Sequence, residues 1–170
     1  MLGHVILSHG LESGPQATKV SAMARVAEAL GWTSERPDYL DLDATGRIEA
    51  VDNRVARLLG RARAAPQPLV LAGSSMGAFI SALASREVPC AGLFLLAPPL
   101  SLEGYPRKLA AAEVPTQIVH GWDDELIPVG DVVRWARLRR DRLVLVDDSH
   151  RLAGHVDFVA GEFGRFLQSL

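Results

Sequence analysis

Short runs of consecutive apolar residues alternate along this chain with longer segments of helical period, and that alternation constrains the fold more than any other feature. The clearest runs are His4-Val5-Ile6-Leu7-Ser8, Leu69-Val70-Leu71-Ala72, Gly92-Leu93-Phe94-Leu95-Leu96, Thr116-Gln117-Ile118-Val119-His120 and Leu143-Val144-Leu145-Val146. A weaker one lies around Glu35 to Tyr39, where Pro37 gives it edge character. After the first run, Val20, Met23, Ala24, Ala27 and Leu30 recur at helical spacing, and Gly31 stands where a C′ glycine belongs. Ile48, Val51, Val55, Leu58 and Leu59 mark a second helix, and a third spans about Ala78 to Arg86. A fourth opens at Pro128, and the last carries Val156, Val159, Ala160, Phe163, Phe166, Leu167 and Leu170 on one face.

Continuous rather than alternating apolar strands belong to a sheet covered on both faces. Strands joined through helical crossovers run parallel. The expectation is an α/β fold, a three-layer sandwich of about six mostly parallel strands with helices on both faces. No repeat, low-complexity stretch or break in composition divides the chain, so residues 1–170 read as a single domain.

Composition narrows the function classes. Hydrophobic residues make up 48% and charged residues 22%, which is enough apolar content for a packed core and too much for a disordered chain. A net charge of −2 offers no electrostatic basis for binding nucleic acid. The single cysteine, Cys90, forms neither an internal disulfide nor a cysteine metal cluster. The N-terminus lacks the basic region and length of a signal peptide, and no apolar run approaches the ~20 residues of a membrane span. A soluble, cytoplasmic protein that acts on a small molecule is expected.

The chemistry lies at the ends of the strands. Gly73-Ser74-Ser75-Met76-Gly77 fits the G-x-S-x-G pattern with Ser75 central, between a buried strand and a helix. The turn is so tight that neighbours of the nucleophile clash if they carry side chains. In return the hydroxyl projects at a helix N-terminus, where free N–H groups favour developing negative charge. A serine needs a base, and the base an orienting acid. After the fifth run comes His120-Gly121-Trp122-Asp123-Asp124-Glu125-Leu126-Ile127-Pro128, and after the sixth Asp147-Asp148-Ser149-His150. Acid and histidine thus follow consecutive strands, in the chain order Ser, Asp, His.

With Ser8-His9-Gly10-Leu11 added, these stretches resemble a small, lidless serine α/β-hydrolase along nearly the whole chain. The family pattern after the fifth equivalent strand is H-G-x-x-D-x-x-V-P, which assigns the triad acid to Asp124, with Asp123 as the alternative one residue away. His150 is the expected base. His155, at the start of the final helix, competes with it and otherwise reads as a capping or surface residue. By similarity to the family, His9-Gly10 shapes an oxyanion loop in which the backbone N–H of Leu11 joins that of Met76. Two departures stand out. Six strands are fewer than the family's usual eight, and Leu100 to Pro115 is too short for a lid domain. An open site follows, walled by Leu100, Leu102 or Tyr105.

The resemblance implies acyl transfer to water through an acyl-enzyme on Ser75, with no cofactor and no metal. A carboxylic ester or thioester is the expected substrate, because a shallow site gives a stable amide little positioning help. A non-catalytic binding protein on the same scaffold, or another triad reaction such as carbon–carbon bond hydrolysis, are the alternatives. The remaining features have plainer readings. Arg134, Arg137, Arg139, Arg140 and Arg142 suit a solvated helix end. Cys90 is packing, Trp122 walls the pocket or joins the core, and Asp38, Tyr39, Asp41 and Asp43 form an acidic loop rather than a metal site.

Overall fold

The central strands are built around unbroken apolar runs whose side chains point alternately to two faces, so two cores form. The computed structural model describes residues 1–170. In chain order it contains β1 (His4–Ser8), α1 (Thr18–Ala29), β2 (Thr33–Glu35), α2 (Leu40–Asp43), α3 (Glu49–Ala64), β3 (Leu69–Ser74) and α4 (Met76–Ser85). β4 (Gly92–Leu96), β5 (Thr116–Gly121), α5 (Val129–Arg139), β6 (Arg142–Val146), a 3-10 turn (Ala153–His155) and α6 (Val156–Gln168) complete it. The six strands form one sheet in the order β2-β1-β3-β4-β5-β6, and every neighbouring pair is parallel.

One face of the sheet presents Val5, Leu7, Val70, Ala72, Phe94, Leu96 and Val119 to α1 and α6. The other presents Ile6, Leu69, Leu71, Leu93, Leu95 and Ile118 to α3, α4 and α5. α4 is buried along its whole length, in keeping with its nearly uniform apolar sequence. No helix is long and apolar enough to cross a membrane.

Three elements differ from the sequence expectation, the first being α2, which falls where a loop is expected. The second strand is Thr33–Glu35 rather than a segment reaching Tyr39. Thr33, Ser34 and Glu35 pair with His4, Val5 and Ile6, and pairing stops before Pro37, which has no N–H to donate. Tyr39 instead turns its ring into the core beneath α3. The third expected helix begins at Met76, two residues earlier than its periodicity indicated, immediately after Ser75.

The chain reverses direction across the sheet at β1, which has β2 on one side and β3 on the other. Loops leaving β1 and β3 at their C-terminal ends therefore diverge and open a crevice. On the α1/α6 face, Phe163 stacks at 5.0 Å from Phe94 and is fully buried. Phe163→Ala should cost about 3–5 kcal/mol in urea unfolding, because the cavity opens between α6 and the centre of the sheet.

Candidate active site

A single residue separates β3 from α4. Ser75 takes φ 54° and ψ −114° there, a conformation that costs a non-glycine residue on the order of 1–3 kcal/mol. Its N–H donates to the Leu96 carbonyl at 2.8 Å, which ties the turn to the end of β4. The flanking glycines have a steric reason. A Cβ on Gly73 would lie 2.3 Å from the backbone of Gly77, and one on Gly77 would lie 1.9 Å from the Ser8 carbonyl oxygen. Only bare backbone lets the first turn of α4 pass this close to β1.

The loop after β6 brings His150 to the serine. Ser75 Oγ and His150 Nε2 are 2.9 Å apart, and His150 Nδ1 is 2.8 Å from Asp124 Oδ2. The other Asp124 oxygen accepts from the N–H groups of Leu126 and Ile127 at 2.9 and 2.7 Å. Its side chain is fully buried, so an unpaired carboxylate would be costly, and both oxygens are occupied. A carboxylate facing Nδ1 places the ring proton there and leaves Nε2 free to accept from the serine hydroxyl. Glu125 accepts the His150 backbone N–H at 3.1 Å. Its own N–H and that of His150 hold the Glu125 carboxyl below its ordinary range.

His120 lies behind this acid. It is fully buried, its Nε2–H donates to the Ile127 carbonyl at 2.9 Å, and the same nitrogen lies 3.4 Å from Asp124 Oδ2. It thereby closes the loop that presents the aspartate. Asp123 is exposed, and its backbone N–H donates to the Asp148 carbonyl. His155 donates from Nδ1 to Asp148 at 2.8 Å, away from the serine. That hydrogen bond is the leading cause holding the Asp148 carboxyl below its usual range.

The loop after β1 forms the opposite side. His9 is buried, donates from Nδ1 to the Gly10 carbonyl at 2.7 Å and accepts the Tyr39 N–H at Nε2, 3.0 Å. Burial pulls its pKa down, so the ring serves as a neutral brace. Arg54, unremarked in the sequence reading, is the centre of this side. It is 1% exposed and donates to the carbonyls of His9 at 2.7 Å and Gly10 at 3.1 Å. Two further bonds, at 2.7 and 2.6 Å, reach the Asp43 carboxylate, and the guanidinium lies 4.5 Å above the Tyr39 ring. Burial pushes the Tyr39 hydroxyl up to about 12. A signal for Arg54 existed in the sequence: it sits three residues after Val51 and four before Leu58, a cation inside an apolar helical stripe.

With both carbonyls held by Arg54, the N–H of Leu11 is left without an acceptor in the chain. The N–H of Met76, first in α4, has none inside its helix. Met76 directly follows the serine in the chain, and Leu11 and Ser75 line one open cleft of about 530 Å³. Leu11, Leu126 and Val156 line it, whereas Leu100, Leu102 and Tyr105 do not. Those three pack into the α3/α4 core, where Tyr105 donates to Asp52 at 2.6 Å. Trp122 is 56% exposed and belongs neither to the cleft nor to the core.

The expected acidic loop is in part the short helix α2, which carries Asp41 and Asp43, and arginines take up both acids, Asp41 pairing with Arg57 and Asp43 with Arg54. Of the basic cluster, Arg134 pairs with Asp131, Arg139 with Asp141 and Arg142 with Glu162. Burial raises the Cys90 thiol to about 11, which removes it as a nucleophile. No group of three His, Cys, Asp or Glu side chains is arranged to hold a metal ion.

Neither family models nor curated proteins gave a match to the chain. Solved structures do. A crystal structure described as a hydrolase of the α/β superfamily, from Xanthomonas campestris pv. campestris, is 54% identical over 99% of both chains, with a TM-score of 0.95. The chain therefore belongs to the α/β-hydrolase superfamily. At the level of fold alone it is similar to an α/β serine hydrolase without a lid from Xanthomonas campestris, 22% identical over 98% of this chain and 81% of that one, TM-score 0.68. An esterase from Pyrococcus furiosus, 15% identical over 99% and 82% of the two chains, reaches a TM-score of 0.77.

Gly77→Ala should cost about 3 kcal/mol or more in chemical denaturation, since the backbone it meets has no freedom to retreat. Arg54→Met leaves the Asp43 carboxylate and two carbonyls without their donor, and should cost about 3–5 kcal/mol in the same assay.

Proposed function

We propose that the protein is a serine hydrolase that cleaves a carboxylic ester or thioester through an acyl-enzyme on Ser75. The observation that carries this reading is the continuous hydrogen-bond line from Ser75 Oγ through His150 to a buried Asp124, at 2.9 and 2.8 Å. A serine hydroxyl is a weak nucleophile until a neighbouring base takes its proton, and a base aligned at hydrogen-bond distance meets that need.

In this mechanism Oγ bonds to the substrate carbonyl carbon while its proton passes to His150 Nε2. Asp124 keeps the imidazole in the Nδ1–H tautomer and stabilises the imidazolium. The carbonyl oxygen becomes an oxyanion that accepts from the N–H groups of Leu11 and Met76, where each donor is worth about 3–4 kcal/mol in the transition state. His150 then gives its proton to the leaving alcohol or thiol. Water, deprotonated by the same nitrogen, attacks the acyl carbon, and the proton returns to Oγ as the acid departs. Open access to Ser75 favours an activated acyl group over an amide, and the likeness in fold to a lidless serine hydrolase and to an esterase supports that choice.

The reading is tested by intact mass after exposure to a fluorophosphonate. Wild-type protein should gain a single adduct and Ser75→Ala none; a folded wild-type protein that gains none is a binding protein on this scaffold instead. On an ester that the wild type turns over, Ser75→Ala should lose on the order of 10⁶ in kcat if the three residues act as a unit. Asp124→Asn should lose about 10⁴ while keeping the fold, and Asp123→Asn should match wild type. The reverse ranking of the two aspartates would move the acid to Asp123.

A further inference from the structure

The cleft beside Ser75 contains a cation that the proposed chemistry does not use. Lys19, one of only two lysines in the chain, lines it together with Arg151, Leu126 and Val156. Its ammonium donates to the Arg151 carbonyl oxygen at 2.5 Å, and no carboxylate lies within ion-pair distance. The neighbouring acids are committed elsewhere. Asp148 accepts from His155 and from the backbone of Ser149 and Gly154. Glu12 faces Arg151 at 4.0 Å, with both side chains largely in solvent.

Stability alone would not put a lysine here. Lys19 is half-buried, in the first turn of α1, where the helix dipole opposes positive charge and no acidic residue of that turn offsets it. Burial and the adjacent Arg151 drive its pKa down, the Asp148 carboxylate offsets them only in part, and an anion arriving in the cleft would add to that offset. Local rules broken without an internal compensation concentrate at functional sites. The cleft's own charges (Lys19 and Arg151 against Glu12) sum to +1, in a chain whose net charge is −2.

We propose that Lys19, backed by Arg151, selects substrates that carry a carboxylate or similar anionic group beside the scissile ester. The inference rests on the ester-hydrolase reading of Ser75 and names its substrate class. The cleft's apolar walls, Leu11, Leu126 and Val156, accommodate a methylene spacer, and the ammonium receives the anion at its end.

The test uses two ester series, because the anion sits on either side of the scissile bond. In one, the para-nitrophenyl half-esters of glutaric, adipic and suberic acid are compared with alkanoates of matched length. In the other, the butyryl ester of para-hydroxybenzoate is compared with that of its methyl ester. Wild-type kcat/KM should favour the anionic member of at least one series by about tenfold or more, the size of one charge-assisted hydrogen bond. Lys19→Met should bring that ratio near one and Lys19→Arg should retain it, a readout that a general loss of activity leaves unmoved. The wild-type ratio should also shrink as salt shortens the Debye length from about 10 to about 3 Å. Hydrolysis of both members with no preference in either series, or a preference that survives Lys19→Met, overturns the inference and leaves the hydrolase reading standing. Silence toward every ester, neutral and anionic alike, overturns both.

Discussion

The close passage of α4 across the end of β1 is the constraint on which the rest of the structure depends. With no Cβ on Gly77, the helix backbone packs against the carbonyl of Ser8, and with none on Gly73 the turn between β3 and α4 shrinks to one residue. That residue, Ser75, then stands at a helix N-terminus and faces the crevice where the sheet's strand order reverses. The strain in its backbone is sustained by burial: α4 is apolar at almost every position and sealed beneath α3.

Two buried polar assemblies flank the serine, and they work in different ways. On the β5/β6 side, the backbone of Leu126 and Ile127 fixes one oxygen of Asp124, and the other meets His150 with His120 behind it. His120 braces the same loop from behind through the Ile127 carbonyl. On the β1 side the brace is a cation. Arg54 holds the carbonyls of His9 and Gly10 toward α3, and the N–H of Leu11, the next residue, has no acceptor in the chain. Both devices spend buried hydrogen bonds on the direction of a loop, which apolar packing alone does not specify. Lys19 and Arg151 lie on a third wall, contributed by α1 and the segment after His150, where the ammonium bonds a backbone carbonyl and no carboxylate is within ion-pair distance of it.

Much of this was legible from local pattern. The strands at His4, Leu69, Gly92, Thr116 and Leu143 declare themselves through unbroken apolar runs, and Gly73 and Gly77 through their spacing around Ser75. Asp124 and His150 follow their strands closely enough that order along the chain brought them to one sheet edge. β2 was misplaced toward Tyr39 because its three residues, Thr33, Ser34 and Glu35, are polar, and only pairing with β1 makes them a strand. The cleft walls were misassigned because Leu100, Leu102 and Tyr105 are as apolar as Leu11, Leu126 and Val156. Which set faces the cleft depends on how a long irregular segment folds back over α4.

The sequence by itself determined the layered α/β architecture, the elbow at Ser75 and the acid and histidine that follow the fifth and sixth strands. Each is a short-range property: the period of apolar residues, the absence of a Cβ at a given step, the distance of a side chain from the end of its strand. Only the tertiary structure decided that Arg54 holds the loop before Leu11, that His155 belongs to Asp148, and that Lys19 opens on the same cleft as Ser75. The hydrogen bonds involved join residues 44 and 45, 7 and 132 positions apart. Their formation depends on packing angles and charge placement across separate elements, which no pattern along a single segment encodes.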